Sequence, residues 1–294
     1  MSWNPVVAGV DTSAEGALAA AAAWSVARAA EAGFHLVHVA RDVPRFPPAA
    51  PAAMAKDELA AKLLHAARVQ VQQALQDRVP PEALQHLEVR RGNAAWALAE
   101  AVRDYGAELL VLGGKHHAAP VRWFGGSTVH HAVRTIDVPI LVTAAERPLF
   151  GRVLVAADLS EAATPTLRTG IRFAAVFGAE LRALSVVEPF PPVPDVAVQV
   201  DEQEHLRLAE EEFAGIVSRA ADGAAISRSV RCGAPGRAIA EEADVWRADL
   251  VVVGSHGKGW VDRVLLGSTT ERLLNRLPTS VLVVPVGTRA AELT

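Results

Sequence analysis

The chain has 294 residues, of which 51% are hydrophobic and only 5% aromatic, and its formal net charge is −4 at pH 7. This length is enough for two ordinary domains, each with its own core. The negative charge, without a basic stripe that carries interleaved aromatic residues, argues against a nucleic-acid partner. The single cysteine, Cys232, excludes an internal disulfide framework. It lies near a predicted strand, and we expect it to be a small buried residue.

The amino-terminal sequence MSWNPVVAGVDTS does not have the basic region and apolar core of a signal peptide. The chain also has no run of about 18 apolar residues, so we predict no membrane partner. Together with the single cysteine, these features predict a soluble, cytoplasmic protein.

In chain order, the first predicted strand, in VVAGVDTS, is followed by a helix and by a second strand in LVHVARD. A Pro-rich stretch, a helix, a third strand and the helical segment AWALAEAVRDYG come next. The apolar run Leu109–Leu112 then leads into a Gly-rich loop, a helix and a final strand in VPILVT. The second half shows the same order, from VLVAADLS through Val251–Val253 to TSVLVVP. The chain is therefore a tandem duplication, with predicted domains over 1–147 and 148–294.

The spacing of the two copies differs in one place. Asp11 and Asp158 are 147 positions apart, whereas Gly126 and Gly267 are 141 apart. The first copy therefore holds extra residues, and we expect them in the Pro-rich stretch RDVPRFPPAAPAA (41–53).

Alternation of short apolar strands with helices predicts an α/β fold: two tandem doubly wound parallel-sheet domains of five strands each. In such sheets, ligands bind beyond the carboxyl ends of the strands. Four residues come directly after a predicted strand in the two copies: Asp11, Gly113, Asp158 and Gly254. This placement is the first functional signal in the sequence.

The Gly-rich loop of the second copy could bind phosphates. Gly254 follows a strand, Gly257 comes three residues later, and Gly267 precedes Ser268 and Thr269 at the start of a helix. Glycines let the backbone approach a ligand, and successive amides and a helix N-terminus favour an anion. The alternative needs no ligand, because Ser268 and Glu271 have the spacing of a capping box.

The aspartates also have two interpretations. Asp11 and Asp158 could accept hydrogen bonds from a ligand's amine or hydroxyl groups, because both come at a strand end. Alternatively, each Asp-x-Ser, with Ser13 or Ser160, could cap the helix that follows.

These residues together resemble the universal stress protein family in its tandem two-domain form. The nucleotide-binding motif of that family is Gly-x2-Gly-x9-Gly-Ser/Thr, which the second copy matches without a gap. The resemblance implies ATP as the ligand, with or without Mg²⁺. It assigns Asp158 and Val186 to the base. It assigns the ribose and phosphates to Gly254, Gly257, Gly267, Ser268 and Thr269.

The first copy departs from this motif at one position. The matching residues are Asp11, Val39, Gly113, Gly126 and Ser127, but His116 replaces the middle glycine. A Cβ and an imidazole at this position would crowd the phosphates, so we expect ATP binding in the first copy to be weaker or lost. The alternative is that Lys115, His116 and His117 donate hydrogen bonds to the phosphates.

Three classes of function remain at this point. The resemblance favours a nucleotide-dependent regulatory module of the stress response, whose output is changed contact with an unknown protein partner. The alternatives are a nucleotide-independent interaction scaffold and a slow ATPase or phosphotransferase. The resemblance also implies that VPILVT and TSVLVVP pair within the chain to form a pseudo-dimer. Association of two chains into a homodimer stays open.

Overall fold

The computed structural model describes residues 3–40, 56–114, 127–144, 150–189, 201–255, 267–276 and 279–285. The chain divides into two units, Met1–Pro148 (the first unit) and Leu149–Thr294 (the second unit).

The first unit follows the predicted order of strands and helices, with one short helix that the sequence analysis did not predict. Its elements are β1 (Val6–Val10), α1 (Ala14–Ala29), β2 (Phe34–Ala40), α2 (Lys56–Leu75), α3 (Pro81–Leu84), β3 (Leu87–Arg91), α4 (Ala94–Tyr105), β4 (Leu109–Gly113), α5 (Ser127–Thr135) and β5 (Ile140–Thr143).

The second unit repeats this order without a counterpart of α3. Its elements are β6 (Arg152–Ala156), a 3-10 turn (Glu161–Ala163), α6 (Thr164–Phe177), β7 (Glu180–Val187), α7 (Glu202–Ala221), β8 (Ser227–Cys232), α8 (Pro235–Val245), β9 (Leu250–Gly254), α9 (Ser268–Arg276) and β10 (Ser280–Val284).

Each unit contains a parallel sheet with the same strand order. In the first unit the order is β3-β2-β1-β4-β5, and in the second it is β8-β7-β6-β9-β10. Helices α1 and α2 pack together, as do α4 and α5, and right-handed crossovers place these pairs on opposite faces of the sheet. The central strands are therefore apolar on both sides, and Leu109, Leu110 and Val111 are fully buried. The predicted doubly wound α/β fold is confirmed.

The extra residues of the first unit do not lie where the sequence analysis placed them. Eleven residues separate α2 from β3, but only five separate α7 from β8, whereas the connections before α2 and α7 differ by a single residue. The insertion therefore contains α3, which begins at Pro81 directly after Pro80. Proline at the first helical position favours such a short helix. The prediction that the extra residues lie in 41–53 is wrong.

A polar network packs β2 and β3 against α4 in the first unit. The His35 ring stacks on Tyr105, with ring centroids 3.7 Å apart, and the Tyr105 hydroxyl donates to Glu88. Arg90 binds Glu88 at 3.0 Å and Asp104 at 2.8 Å. The network thus joins two strands to the last turn of the helix.

The second unit has a polar network of different residues at the equivalent position. Arg182, which matches His35 in the strand register, lies over the Trp246 ring at 4.6 Å. It also pairs with Glu242 at 2.7 Å, and Arg231 contacts the same carboxylate at 3.4 Å. Glu242 is only 8% exposed, and these two arginines lie next to its buried carboxylate.

Cys232 is exposed, contrary to its predicted burial. It is the last residue of β8, which lies at the end of the strand order of its unit, and Gly233 follows it with φ of 144°. An edge position leaves a side chain open to solvent.

None of the helices in the described ranges is long and apolar enough to cross a membrane.

Candidate functional site

A cavity of about 290 Å³ opens at the carboxyl ends of β1, β2 and β4 in the first unit. Three residues that the sequence singled out, Asp11, Val39 and Gly113, lie in its wall together. The described residues that line the cavity are Gly9, Val10, Asp11, Ser13, Glu15, Gly16, Val37, Val39, Leu98, Leu112, Gly113, Thr128 and Val129. Its position is the one expected for a ligand site in an open α/β sheet.

The Asp11 carboxylate is held at the edge of this cavity by its neighbour. The Ser13 backbone N–H donates to Asp11 Oδ1 at 2.9 Å, and the Ser13 hydroxyl donates to the same oxygen. Ser13 Oγ in turn accepts the Gly16 N–H at 3.0 Å. The helix cap is therefore Ser13, as the capping alternative requires, while Asp11 orients the cap and faces the cavity.

Gly16 and Gly113 let the first turn of α1 approach the strand ends. A Cβ on Gly16 would lie 2.7 Å from the Asp11 backbone nitrogen. A Cβ on Gly113 would lie 2.5 Å from the Glu15 carbonyl oxygen and 2.9 Å from Glu15 Cβ. Real Cβ atoms do not approach other atoms so closely, so Gly113 has a packing role at the end of β4 as well as a place in the cavity wall.

In the second unit, Asp158 makes the same local contact, since the Ser160 N–H donates to its Oδ1 at 3.0 Å. The next turn differs, because Ser160 precedes a 3-10 turn without a side-chain cap and α6 begins only at Thr164. Ala163 stands where the first unit has Gly16, and its Cβ requires the space that Gly16 leaves open. The capping alternative therefore holds for Ser13 but not for Ser160.

Strand register brings the predicted residues of the second unit to one edge. Ala156 pairs with Leu184 on one side and with Val253 on the other. Asp158, two residues further along, therefore lies level with Val186 on β7 and beside the strand that ends at Gly254. The three residues follow one another across the carboxyl edge of this sheet.

Two hydrogen bonds close the ends of the Gly-rich loop in the second unit. The Gly267 N–H donates to the Ser255 carbonyl oxygen at 2.9 Å, and the Thr270 hydroxyl donates to the Gly254 carbonyl oxygen at 2.7 Å. The start of α9 is thereby held against the end of β9. Gly254 and Gly267 are thirteen positions apart in the sequence, but these bonds hold them close together in the fold.

The predicted capping box at Ser268 and Glu271 is wrong. The Glu271 N–H donates to the Gly267 carbonyl oxygen at 2.9 Å, so Gly267 occupies the cap and Ser268 is the first helical residue. Ser268 is exposed and Thr269 half-buried. Both belong to the first turn, whose N–H groups have no carbonyl partner within the helix.

Several predicted residues lie outside the described ranges. Of Ser127 only the backbone is described, as the first residue of α5. The predicted site residues outside these ranges are Lys115, His116, His117, Gly126 and Gly257.

Sequence reasoning did not single out several residues of the cavity and its surroundings. Glu15, Leu98 and Thr128 line the cavity of the first unit, and Thr270 anchors the loop of the second. Glu15 could have been found by comparing the copies position by position, since the fourth residue after the aspartate is Glu15 in one and Ala162 in the other. Leu98 and Thr128 carry no such signal, because their role follows from packing across the sheet.

Comparisons with known proteins point to one family. The model of the universal stress protein family matches residues 2–144 and again residues 149–285. A universal stress protein of Mycolicibacterium smegmatis is 29% identical over 289 residues, which cover 95% of this chain and 96% of that protein. A universal stress protein of Methanocaldococcus jannaschii is 31% identical over 140 residues, or 46% of this chain and 82% of that one.

A solved structure supports the same fold. The crystal structure of a universal stress protein from Archaeoglobus fulgidus matches with a TM-score of 0.68 at 20% identity, and the match covers 98% of this chain and 100% of that one. The two family matches span both units described above. The chain therefore belongs to the universal stress protein family and carries two copies of the family's domain in tandem.

Proposed function

We propose that the chain is an adenine-nucleotide-binding regulatory protein of the stress response, with its ATP site in the second unit. The observation that carries the proposal is the convergence of Asp158, Val186 and Gly254 at one sheet edge, with the start of α9 held against it. A base acceptor, an apolar wall, a glycine and a helix N-terminus are together suited to an adenine nucleotide.

The first unit supports the proposal from the equivalent position. Its cavity brings Asp11, Val39 and Gly113 together. Its volume of about 290 Å³ lies just below the range of roughly 300–1,000 Å³ that is typical of small-molecule sites. The equivalent strand ends of the second unit bring together Asp158, Val186 and Gly254.

The nucleotide would act as an effector. The loop between Ser255 and Gly267 is fixed at both ends by hydrogen bonds, so phosphates bound within it would change the loop without moving β9. A partner protein that contacts the loop would then bind the nucleotide-bound and free chains with different affinity. The size of the regulatory effect is set by this difference in affinity for the partner.

The proposal is tested first by denaturing the purified full-length chain and separating any released nucleotide by ion-exchange chromatography. Calorimetric titration with ATP follows, on the wild type and on G257E, which puts a carboxylate among the phosphates. We expect binding by the wild type and its loss in G257E. A224E adds the same charge at an exposed position of the second unit and should bind as the wild type does.

A second pair of variants addresses the base. D158N and D11N make the same change at equivalent positions and keep an oxygen for Ser160 and Ser13. We expect D158N to weaken ATP binding about tenfold, equivalent to about 1.4 kcal/mol, and D11N to leave that site unchanged. Absence of adenine nucleotide both in the released material and in a millimolar titration would falsify the proposed function.

A further inference from the structure

The described lining of the cavity in the first unit includes two acidic residues, Asp11 and Glu15, and every other described residue of the lining is uncharged. Asp11 lies beside Val39 at the ends of β1 and β2, on the side that the proposed function gives to the base. Glu15 lies against Gly113, at the end of β4 where the Gly-rich loop begins. The phosphates of a nucleotide bound in this orientation would therefore extend towards Glu15.

Two N–H groups at the start of α1 are not available to an anion. The Gly16 N–H donates to Ser13 Oγ, and the Ser13 N–H donates to Asp11. The chain's own oxygens thus use both donors. Glu15 also stands in the first turn, where a carboxylate complements the helix dipole. The amino-terminal end of α1 therefore already has a negatively charged side chain of its own, Glu15.

These charges favour one class of ligand over another. Ionised carboxylates only accept hydrogen bonds, which suits ribose hydroxyls and an exocyclic amine. A triphosphate carries several negative charges, and acidic residues in the lining of the cavity would repel them. An adenine nucleoside has the donors without the charge.

The second unit lacks this carboxylate. Ala162 occupies the position of Glu15, four residues after the aspartate. The neighbouring Glu161 is paired with Arg219 of α7 at 2.5 Å, so its charge is balanced by a cation. The two copies therefore present different charges at corresponding places.

We propose that the first unit is a nucleoside site, which selects adenosine over ATP, and that Glu15 is the residue that determines this specificity. The inference rests on the proposed function, since it takes the cavity to be an adenine site. The chain would then sense two ligands at once, a nucleoside in the first unit and a triphosphate in the second.

The test uses the full-length chain with G257E, which removes the proposed site of the second unit. Adenosine, AMP and ATP are titrated by calorimetry in EDTA, so that no divalent cation bridges a carboxylate and a phosphate. We expect adenosine to bind at least tenfold more tightly than ATP, with AMP between them. E15Q should reduce this preference about tenfold, almost entirely by tighter ATP binding. E82Q removes an exposed carboxylate of α3 and should leave the preference unchanged.

Thermal unfolding of E15Q checks that the variant is folded, and a second variant, E15A, must shift the preference in the same direction. An unchanged preference in both variants overturns the inference and leaves the proposed function intact. Binding of ATP by the wild type without binding of any of the three ligands by G257E does the same. If neither unit of the wild type binds any of them, it is the proposed function that fails.

Discussion

The hydroxyl of Thr270 donates a 2.7 Å hydrogen bond to the carbonyl oxygen of Gly254. Thr270 is only 3% exposed, so this bond is shielded from water. It ties the first turn of α9 to the last residue of β9, across a loop that the Gly267 N–H closes a second time at Ser255. The geometry of the proposed ATP site thus depends on a residue outside the glycine motif.

Replacing Thr270 by valine tests this dependence. T270V keeps the volume but leaves the Gly254 carbonyl oxygen buried without the hydroxyl, and we expect a loss of about 1–2 kcal/mol in the free energy of unfolding. ATP binding should weaken as well, because α9 is no longer fixed to the strand. Urea unfolding and calorimetry measure the two effects. T270S retains the hydroxyl and should resemble the wild type; a T270V variant as stable as the wild type would contradict this account.

Two glycines inside helices of the second unit should respond to alanine in opposite ways. A Cβ on Gly170 of α6 would collide with the side chain of Val155, whereas one on Gly215 of α7 would meet only the far end of Arg219 at 3.3 Å. We expect G170A to lower the free energy of unfolding by about 1–3 kcal/mol through overpacking. G215A should raise it by about 0.5–1 kcal/mol through helix propensity. Chemical denaturation of both variants gives the comparison, and equal shifts of the same sign would refute it.

Stability of the first unit should fall in mild acid because of His35. Burial against Tyr105 lowers the pKa of His35, and the neighbouring His86 lowers it further, while Glu88 acts in the opposite direction. The unfolded chain then binds a proton more readily than the folded unit does. The stabilisation is complete above the ordinary histidine value of about 6.5 and is lost as the pH falls through it, by at most about 1.4 kcal/mol per pH unit.

H35F keeps an aromatic ring on Tyr105 and removes the titrating group. Its free energy of unfolding relative to the wild type should therefore increase between pH 7 and pH 5, as measured by urea titration at several pH values. H65Q, at an exposed histidine of α2, is the control and should follow the wild type. A difference in the free energy of unfolding between H35F and the wild type that stays constant over this range would show that folding does not change the pKa of His35.

His116 offers a gain-of-function test of the departure from the glycine motif. H116G restores the motif of the first copy, and relief of crowding at the phosphates should raise its affinity for ATP about tenfold. Calorimetry in the G257E background isolates this site. A decrease instead of an increase would favour the alternative in which the imidazole donates to the phosphates.

The topology could be predicted because the same strand-end signals occur twice. Asp11 and Asp158 each follow an apolar run, and each unit has the predicted doubly wound sheet. The place of the insertion could not be predicted in the same way. The spacing between Asp11 and Gly126 counts the extra residues but does not locate them, and both 41–53 and Pro80–Pro81 carry the prolines of a connection.

The site was predictable where it depends on chain order and not where it depends on packing. Asp11, Val39 and Gly113 come together because parallel strands end at one edge. Whether Ser268 caps α9 or follows its cap depends on one backbone hydrogen bond, from Glu271 to Gly267, and the sequence is compatible with both. The division of ATP binding between the copies and the intrachain pairing of the final strands stay predictions.

The two polar networks have a consequence for folding of a chain that contains two similar halves. While both halves are unfolded, β2 could dock on α8 in place of α4, because the two helices are equivalent in topology. Such an exchange would put His35 where Arg182 belongs and leave the buried Glu242 without its closest cation. Only the longer contact with Arg231, at 3.4 Å, would then compensate the Glu242 carboxylate, and a poorly compensated buried charge is destabilising. We therefore expect the exchanged pairing to be less stable than the native one, which would favour assembly of each half from its own elements.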